Sequence, residues 1–417
     1  MASKNAAIVH PPGIRDGTEA WARIRRANAQ FWPRFSDAEY QRRYRAIRSA
    51  MAQRGIDCLI MFSTGYLSSA NLIYVANYID VMHGAVVFPL DGKPTVFALA
   101  YSFAAQAAAQ SVIEDVRWGA GINHEVIADR IREGGLGEGT IGIADSLPHE
   151  LWVYLHEALP RARFVDAKDL LFQVRLCASD EELEWYRRGA SLCDGAFEAA
   201  AQAAQPGMKD YELVGIIHGT YLRNGGSLYG AAIGTTPMSN PSVPYSWWVA
   251  GGSTRALQKD DLILTEITGT YYGYPGQLIR PLALGTPPKE LRKLEALAIE
   301  LYRQVQTVIK VGNTPRDVYR YSQRILDEGY SIQCPVIHGY TQVLQPPFAS
   351  VPGDECWSVM LDEPFKENQL IVIEPNPVTS DMMRGFFIGD LNVVTNDGAV
   401  SLHKAPLELR IKAASVS

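Results

Sequence analysis

Two stretches of the chain open helices in the same way, and that duplication constrains the architecture more than any other feature. Pro206-Gly-Met-Lys-Asp-Tyr-Glu-Leu213 resembles Val311-Gly-Asn-Thr-Pro-Arg-Asp-Val318. Each starts a helix after a glycine, and each helix ends in glycine, at Gly225-Gly226 and at Gly329. Each is followed by an extended segment. An internal repeat of this kind fixes architecture, because each copy buries its apolar face against its neighbour. Two αβ halves facing each other would place a site in the cleft between two curved sheets.

The earlier part of the chain alternates differently. Ser36-Asp-Ala-Glu39 is a capping box, and the helix it opens runs to Gly55. Asp57 to Phe62 is a short apolar strand, and Gly84 to Phe97 reads as a hairpin turning at Asp91-Gly92. Ala104 to Val112 is helical, Thr140 to Ala144 a buried strand, 147–159 a helix and Phe164-Val165 a strand. This alternation gives an α/β domain over residues 36–172, a mixed sheet with helices over its faces. A second capping box, Ser179-Asp-Glu-Glu182, opens a long helix to about Ala204, so the boundary falls near 170–178 and the second domain is 173–417. Residues 1–35 show no clear period, but Trp21, Phe31, Trp32 and Phe35 make them adhesive. They read as an arm packed on its own body or on a partner subunit.

Composition removes several function classes. A net charge of -6 with an isoelectric point near 5.8 lacks the basic face that nucleic acid requires. No apolar run approaches the ~20 residues that span a bilayer, and Met-Ala-Ser-Lys-Asn lacks the apolar stretch of a signal peptide. The expectation is a cytoplasmic protein. The five cysteines are odd in number, widely spaced and without a Cys-x-x-Cys pair, so they read as small buried side chains in a reducing compartment.

The candidate chemistry centres on one hairpin. Asp261-Leu-Ile-Leu-Thr-Glu266-Ile is a strand, Tyr274 to Leu284 its return, and Gly269 to Gly273 holds the turn. A turn centred between Tyr271 and Tyr272 sets Glu266 directly opposite Gln277, with Cβ atoms ~5 Å apart. A glutamate among Leu262, Ile263, Leu264 and Ile267 is costly to bury without a role. A carboxylate facing an amide offers one charge and a neutral hydrogen-bonding partner. Such a pair bridges two divalent cations poorly, because the negative charge that would hold them is halved.

This hairpin, with Val336-Ile-His338-Gly-Tyr340, Leu370-Ile-Val-Ile-Glu374-Pro375 and Phe387-Ile-Gly389-Asp-Leu-Asn392, resembles the creatinase/aminopeptidase P/methionine aminopeptidase family. The resemblance covers residues ~36–410. It implies a two-domain architecture, α/β grading into α+β, with a C-terminal pita-bread domain behind a smaller N-terminal α/β domain. It also implies a homodimer. In metal-dependent members the five ligands would fall at Glu266, Gln277, His338, Glu374 and Gly389. Three of these keep ligand-capable side chains, one is an amide and one has no side chain. Asp390, one residue on, should point to the opposite face of its strand. The segment Tyr245 to Gly252 also lacks the histidine that peptidase and creatinase members carry upstream of the first ligand. Within the family the hairpin resembles the metal-free ectoine hydrolase branch, through Thr265-Glu-Ile-Thr-Gly269, Tyr271, Tyr274, Arg280 and Leu284-Gly-Thr-Pro-Pro288. There the glutamate at the position of Glu266 is implicated in attacking substrate. Ser239-Asn-Pro241 resembles instead a stretch of the family's dimethylsulfoniopropionate lyase, which binds metal.

These features lead to a metal-independent hydrolase of a small C–N compound: a cyclic amidine, a guanidino compound or a small amide. Burial should raise the Glu266 pKa, fitting it as nucleophile or general base. His338 would shuttle the proton, and Glu374 would stabilise an imidazolium or hold a cationic substrate. Gln277 would donate to an oxyanion or accept from a substrate N–H. Further substrate contacts are expected from Tyr274, Tyr340, Trp248 and Asn240, with Trp247-Trp248 as an aromatic wall for a cation. Arg280 is expected to pair with a carboxylate. No cofactor is expected; a single metal ion, were one bound, would be held by Glu266, His338 and Glu374. The alternatives are a C–S lyase of the dimethylsulfoniopropionate type, a residual Xaa-Pro metallopeptidase, and a catalytically dead scaffold.

Overall fold

The structure is a computed structural model that describes residues 19–65, 70–80, 82–119, 124–241, 249–250 and 252–412. The chain forms two compact units, Met1–Arg175 and Leu176–Ser417.

The first unit is a six-stranded mixed sheet in the spatial order 115–118, 95–98, 84–89, 58–63, 140–143, 163–166. All six residues of Cys58–Ser63 are buried, because side chains alternate between two cores. Leu59 and Met61 join one apolar cluster, Cys58, Ile60 and Phe62 the other. Ser36 caps Asp37–Gln53 as expected, accepting from the Glu39 backbone N–H at 3.1 Å. The N-terminal arm differs from expectation. Glu19–Asn28 is a regular helix whose Trp21 is buried in this unit's own core. It carries three arginines, Arg23, Arg25 and Arg26. With so few apolar positions on ten residues, the helical period was not visible.

The second unit holds the cleft. Its elements are α1 (Asp180–Ala203), α2 (Asp210–Arg223), β1 (Ser227–Pro237), β2 (Asp261–Tyr271), β3 (Leu278–Leu284), α3 (Lys289–Val308), α4 (Tyr319–Asp327), β4 (Ile337–Tyr340), β5 (Leu344–Ala349), β6 (Leu370–Ile373) and β7 (Gly389–Val394). The Ser179 capping box closes both ways at the start of α1, so two of that helix's orphan N–H groups are satisfied. The strands run antiparallel in the order β5-β4-β6-β7-β3-β2-β1, ending on a short strand Val249–Ala250. The order is symmetric about the β7–β3 seam. In each half one strand follows a helix, β1 after α2 and β4 after α4, and flanks a pair, β2–β3 or β6–β7. The two halves therefore share one continuous eleven-stranded sheet, where the repeat suggested two separate ones. At this seam β3 and β7 pair Leu278 with Asp390 and Ile279 with Gly389.

Strand alternation decides which side chains meet the helices. Ile263 and Ile267 of β2 and Leu278 and Leu282 of β3 pack with α1 and α2 in one apolar cluster. Tyr302 of α3 donates to Asp390 at 3.1 Å and to Asn392 at 3.2 Å, marking the helix-covered face of β7. Glu266, Ile279 and Gly389 have the opposite parity, as do Val372 and His338, which pair with each other. They share the face opposite the one that packs on α1 and α2. No helix among the described residues is long and apolar enough to cross a membrane.

Candidate active site

Glu266 is brought into place by the hairpin turn. Tyr272 and Gly273 both have positive φ, 48° and 83°, the signature of a two-residue type I′ turn. The turn therefore centres on Tyr272-Gly273 and pairs Tyr271 with Tyr274. Glu266 consequently faces Ile279, and Gln277 sits diagonally from it, two residues from the expected register. The two side chains still meet: Gln277 Nε2 donates to Glu266 Oε1 at 3.1 Å. The hairpin is pinned from behind by α1. A Cβ on Gly276 would lie 2.5 Å from Ala190 Cα, so only glycine permits this approach.

His338 and Glu374 come from the other half of the sheet. His338 is buried on β4, and its Nε2 lies 3.3 Å from Glu374 Oε1, just past β6. Its Nδ1 lies 3.1 Å from the Gly339 carbonyl, which orients the ring. Burial pushes the Glu266 carboxyl up to about 7, and the nearby Glu374 charge adds to this; His338 and the Gln277 hydrogen bond oppose it. Burial alone would lower His338, but the Glu374 charge and hydrogen bond, the Gly339 carbonyl and Glu266 outweigh it and raise its pKa. The pair of carboxylates thus surrounds an imidazole that holds its proton readily.

The other expected contacts divide. Tyr340 is beside His338, with ring centroids 5.8 Å apart. Tyr274 is not in the cleft. It faces α1, where its hydroxyl donates to Glu182 at 3.2 Å and its ring packs on Trp185 and Tyr186. Three residues before Gln277 on the same return strand, it takes the opposite face by strand alternation. Asn240 is exposed beyond Pro237, which pairs with Asp261, about 16 Å along an extended strand from Glu266. Trp247 and Trp248 lie outside the described residues. Arg280 turns away from the cleft and pairs with buried Asp390 at 2.7 Å. Burial would raise Asp390, but Arg280, His403 and Ser401 hold it below the usual carboxylate range.

Sequence reasoning missed two features. Cys334 belongs to this site. Asn376 Nδ2 donates to its sulfur at 2.9 Å. Burial, Glu374 and Glu266 together push its thiol well above the ordinary range. No periodic signal marked it, because Cys334 lies in the bend that precedes β4. Iodoacetamide at pH 8 should therefore label exposed Cys356 and spare Cys334, as read by peptide mass spectrometry. Rapid labelling of Cys334 would mean that its thiol is ionised and the carboxylate field is wrong. The second feature is an aromatic row. Phe348 lies 6.5 Å from the His338 ring, and Trp357 lies 5.5 Å from Phe348 and is 40% exposed.

The donor set does not fit a two-ion metal centre. The Gln277 amide points its N–H at Glu266 instead of presenting a second carboxylate. At Gly389 the space for a ligand is filled: a Cβ there would lie 2.9 Å from Ile279 Cδ1 and 3.1 Å from Glu374 Cβ. Among the described residues, no group of three His, Cys, Asp or Glu side chains is arranged to hold an ion.

Comparison with known proteins places this geometry in context. Residues 184–396 match the profile of metallopeptidase family M24, and residues 43–177 match the creatinase/prolidase N-terminal domain. The ectoine hydrolase of Halomonas elongata is 23% identical over 416 residues, spanning 91% of this chain and 98% of that protein. The creatinase of Bacillus sp. (strain B-0618) is 24% identical, over 69% of this chain and 70% of its own. The crystal structure of an X-Pro aminopeptidase from Thermotoga maritima superposes with a TM-score of 0.76 at 16% identity, covering 88% of this chain and 99% of that one. This last likeness shows the two-domain fold.

Proposed function

The chain belongs to metallopeptidase family M24, and within that family we propose that it hydrolyses a C–N bond of a small compound without a metal ion. The substrate is a cyclic amidine, a guanidino compound or a small amide. The observation that carries this reading is the hydrogen bond from Gln277 to Glu266, made where the family's metal sites need a second carboxylate.

The chemistry follows from the charges. Two carboxylates against one imidazolium leave one negative charge for a planar cation. Phe348 and Trp357 offer such a cation π-faces beside His338. With its pKa near neutral, Glu266 takes a proton from water as the water oxygen bonds to the amidinium carbon. The C–N bond then breaks, and the departing nitrogen takes a proton from the His338–Glu374 pair. One water is consumed, giving an amide and an amine. The relatives named ectoine hydrolase and creatinase support chemistry on small C–N compounds.

The test uses protein dialysed against a chelator and freed of metal, offered a panel of amidines, guanidines, small amides and Xaa-Pro dipeptides. Turnover of a non-peptide compound is expected, with kcat/KM rising through pH about 7 as Glu266 ionises and falling at higher pH as His338 loses its proton. Turnover that returns only with manganese, or only with Xaa-Pro dipeptides, establishes the metallopeptidase reading instead. Sulfide release from dimethylsulfoniopropionate establishes the lyase. The same reading keeps a cytoplasmic homodimer, which analytical ultracentrifugation checks.

A further inference from the structure

Resting on the hydrolase reading, we propose that Gln277 selects the substrate by accepting a hydrogen bond from an N–H on the reacting group, so that compounds without such an N–H are rejected. Gln277 is only 5% exposed, and its Nε2 is committed to Glu266 at 3.1 Å. Its Oε1 is shielded from solvent and has no partner among the described residues. A buried acceptor left unpaired costs roughly 1–3 kcal/mol in the free protein, so a ligand that satisfies it recovers that cost on binding. The position of this oxygen is set by its own amide: with the nitrogen end held on Glu266, the oxygen end is fixed one amide width from that nitrogen. Gln277 also has the parity of Glu266, which turns it away from α1 and α2. The neighbouring polar groups of the site are engaged, His338 with Glu374 and Cys334 with Asn376.

The consequence is a preference by chemical class. Amidines, guanidines and primary or secondary amides bring an N–H to Oε1. The nitrogen of an Xaa-Pro bond carries none, and would leave the acceptor orphaned in the complex as well. This one oxygen therefore separates the small C–N substrates from the imide bonds that prolidase-type enzymes cleave.

Two ring cations of equal charge test this. One is 2-methyl-1,4,5,6-tetrahydropyrimidinium, with two N–H groups; the other is its 1,2,3-trimethyl counterpart, with none. Dissociation constants are measured by calorimetry on wild type and on Gln277→Leu, with circular dichroism as the check on folding. Wild type should prefer the N–H ring by about 10- to 100-fold. Gln277→Leu should cut that ratio by about tenfold or more, leaving whatever the methyl bulk contributes. A ratio unchanged by the substitution overturns the inference, as does a wild type that binds neither ring or prefers the trimethyl one, the last being expected if the amide is turned the other way round. The two readings fail separately. Gln277-dependent binding without turnover removes the hydrolase and keeps the acceptor; turnover of the N–H ring with a ratio indifferent to Gln277 does the reverse.

Discussion

Replacing Glu266 by glutamine is expected to abolish turnover and, at the same time, to stabilise the protein above neutral pH. The loss in kcat should be about 10²- to 10⁴-fold, the usual contribution of a general base. The gain in stability follows from linkage. The folded carboxyl titrates at about 7, whereas an unfolded glutamate titrates near 4.3. Between those values the folded state holds a proton that the unfolded state has released. Stability therefore falls as pH rises through this window, by up to about 4 kcal/mol. Glutamine carries no such charge, and its side-chain oxygen still accepts from Gln277. Urea unfolding should give coincident curves for the two proteins near pH 4 and a more stable variant at pH 8. A variant that is no more stable at pH 8 would mean that Glu266 is comfortably ionised in the fold, and the proposed base would then have an ordinary pKa. A variant that still turns over would remove Glu266 from the chemistry. Paired effects of opposite sign are the mark of a strained functional group; a carboxylate kept only for structure would lose stability when neutralised.

The same hairpin shows what a sequence can and cannot disclose. Glu266 was legible because one charged letter interrupts Leu262, Ile263, Leu264 and Ile267, and burial without purpose is costly. His338 and Glu374 were legible because Val336–Tyr340 and Leu370–Pro375 resemble the family's ligand motifs. The α/β unit and the α1 capping box followed from local chemistry in the same way. The register did not. It depends on Tyr272 adopting a left-handed conformation at φ 48°, which tyrosine rarely does. That one shift put Ile279, not Gln277, opposite Glu266, while Tyr274, three residues before Gln277, takes the α1 face by strand alternation in either register. Cys334 and the Phe348–Trp357 pair were equally hidden, because period specifies which face a residue takes and leaves open what lies across from it. Contacts across the β7–β3 seam join residues more than a hundred positions apart, such as Ile279 and Gly389, and no local pattern encodes them.

That seam supplies the second large effect. Introducing a glutamate by Gly389→Glu should destabilise the protein by about 3 kcal/mol, because it meets two separate penalties. Its Cβ would press on Ile279 Cδ1 at 2.9 Å and on Glu374 Cβ at 3.1 Å, and overpacking of this kind costs about 1–3 kcal/mol. It would also set a third carboxylate beside Glu266 and Glu374 with no cation to offset it. Ile279→Ala relieves the larger part of the first penalty by removing the Cδ1 and Cγ1 atoms at 2.9 and 3.3 Å, leaving the Glu374 Cβ contact at 3.1 Å. Gln277→Asp then replaces the amide with a charge, so the triple variant carries side-chain donors at all five positions where the family's metal-dependent members have ligands. Without metal the triple variant should be the least stable protein of the series, since like charges now crowd one face. Manganese at about 100 times its dissociation constant should return about 3 kcal/mol, a rise in melting temperature of roughly 5–10 °C for a domain of this size. Wild type, dialysed against the same chelator, should move by no more than about 2 °C on the same addition. Melting curves with and without manganese decide the matter. If wild type rises as far as the triple variant, then Gln277 and Ile279 do not keep the ions out, and the cleft works through bound metal after all.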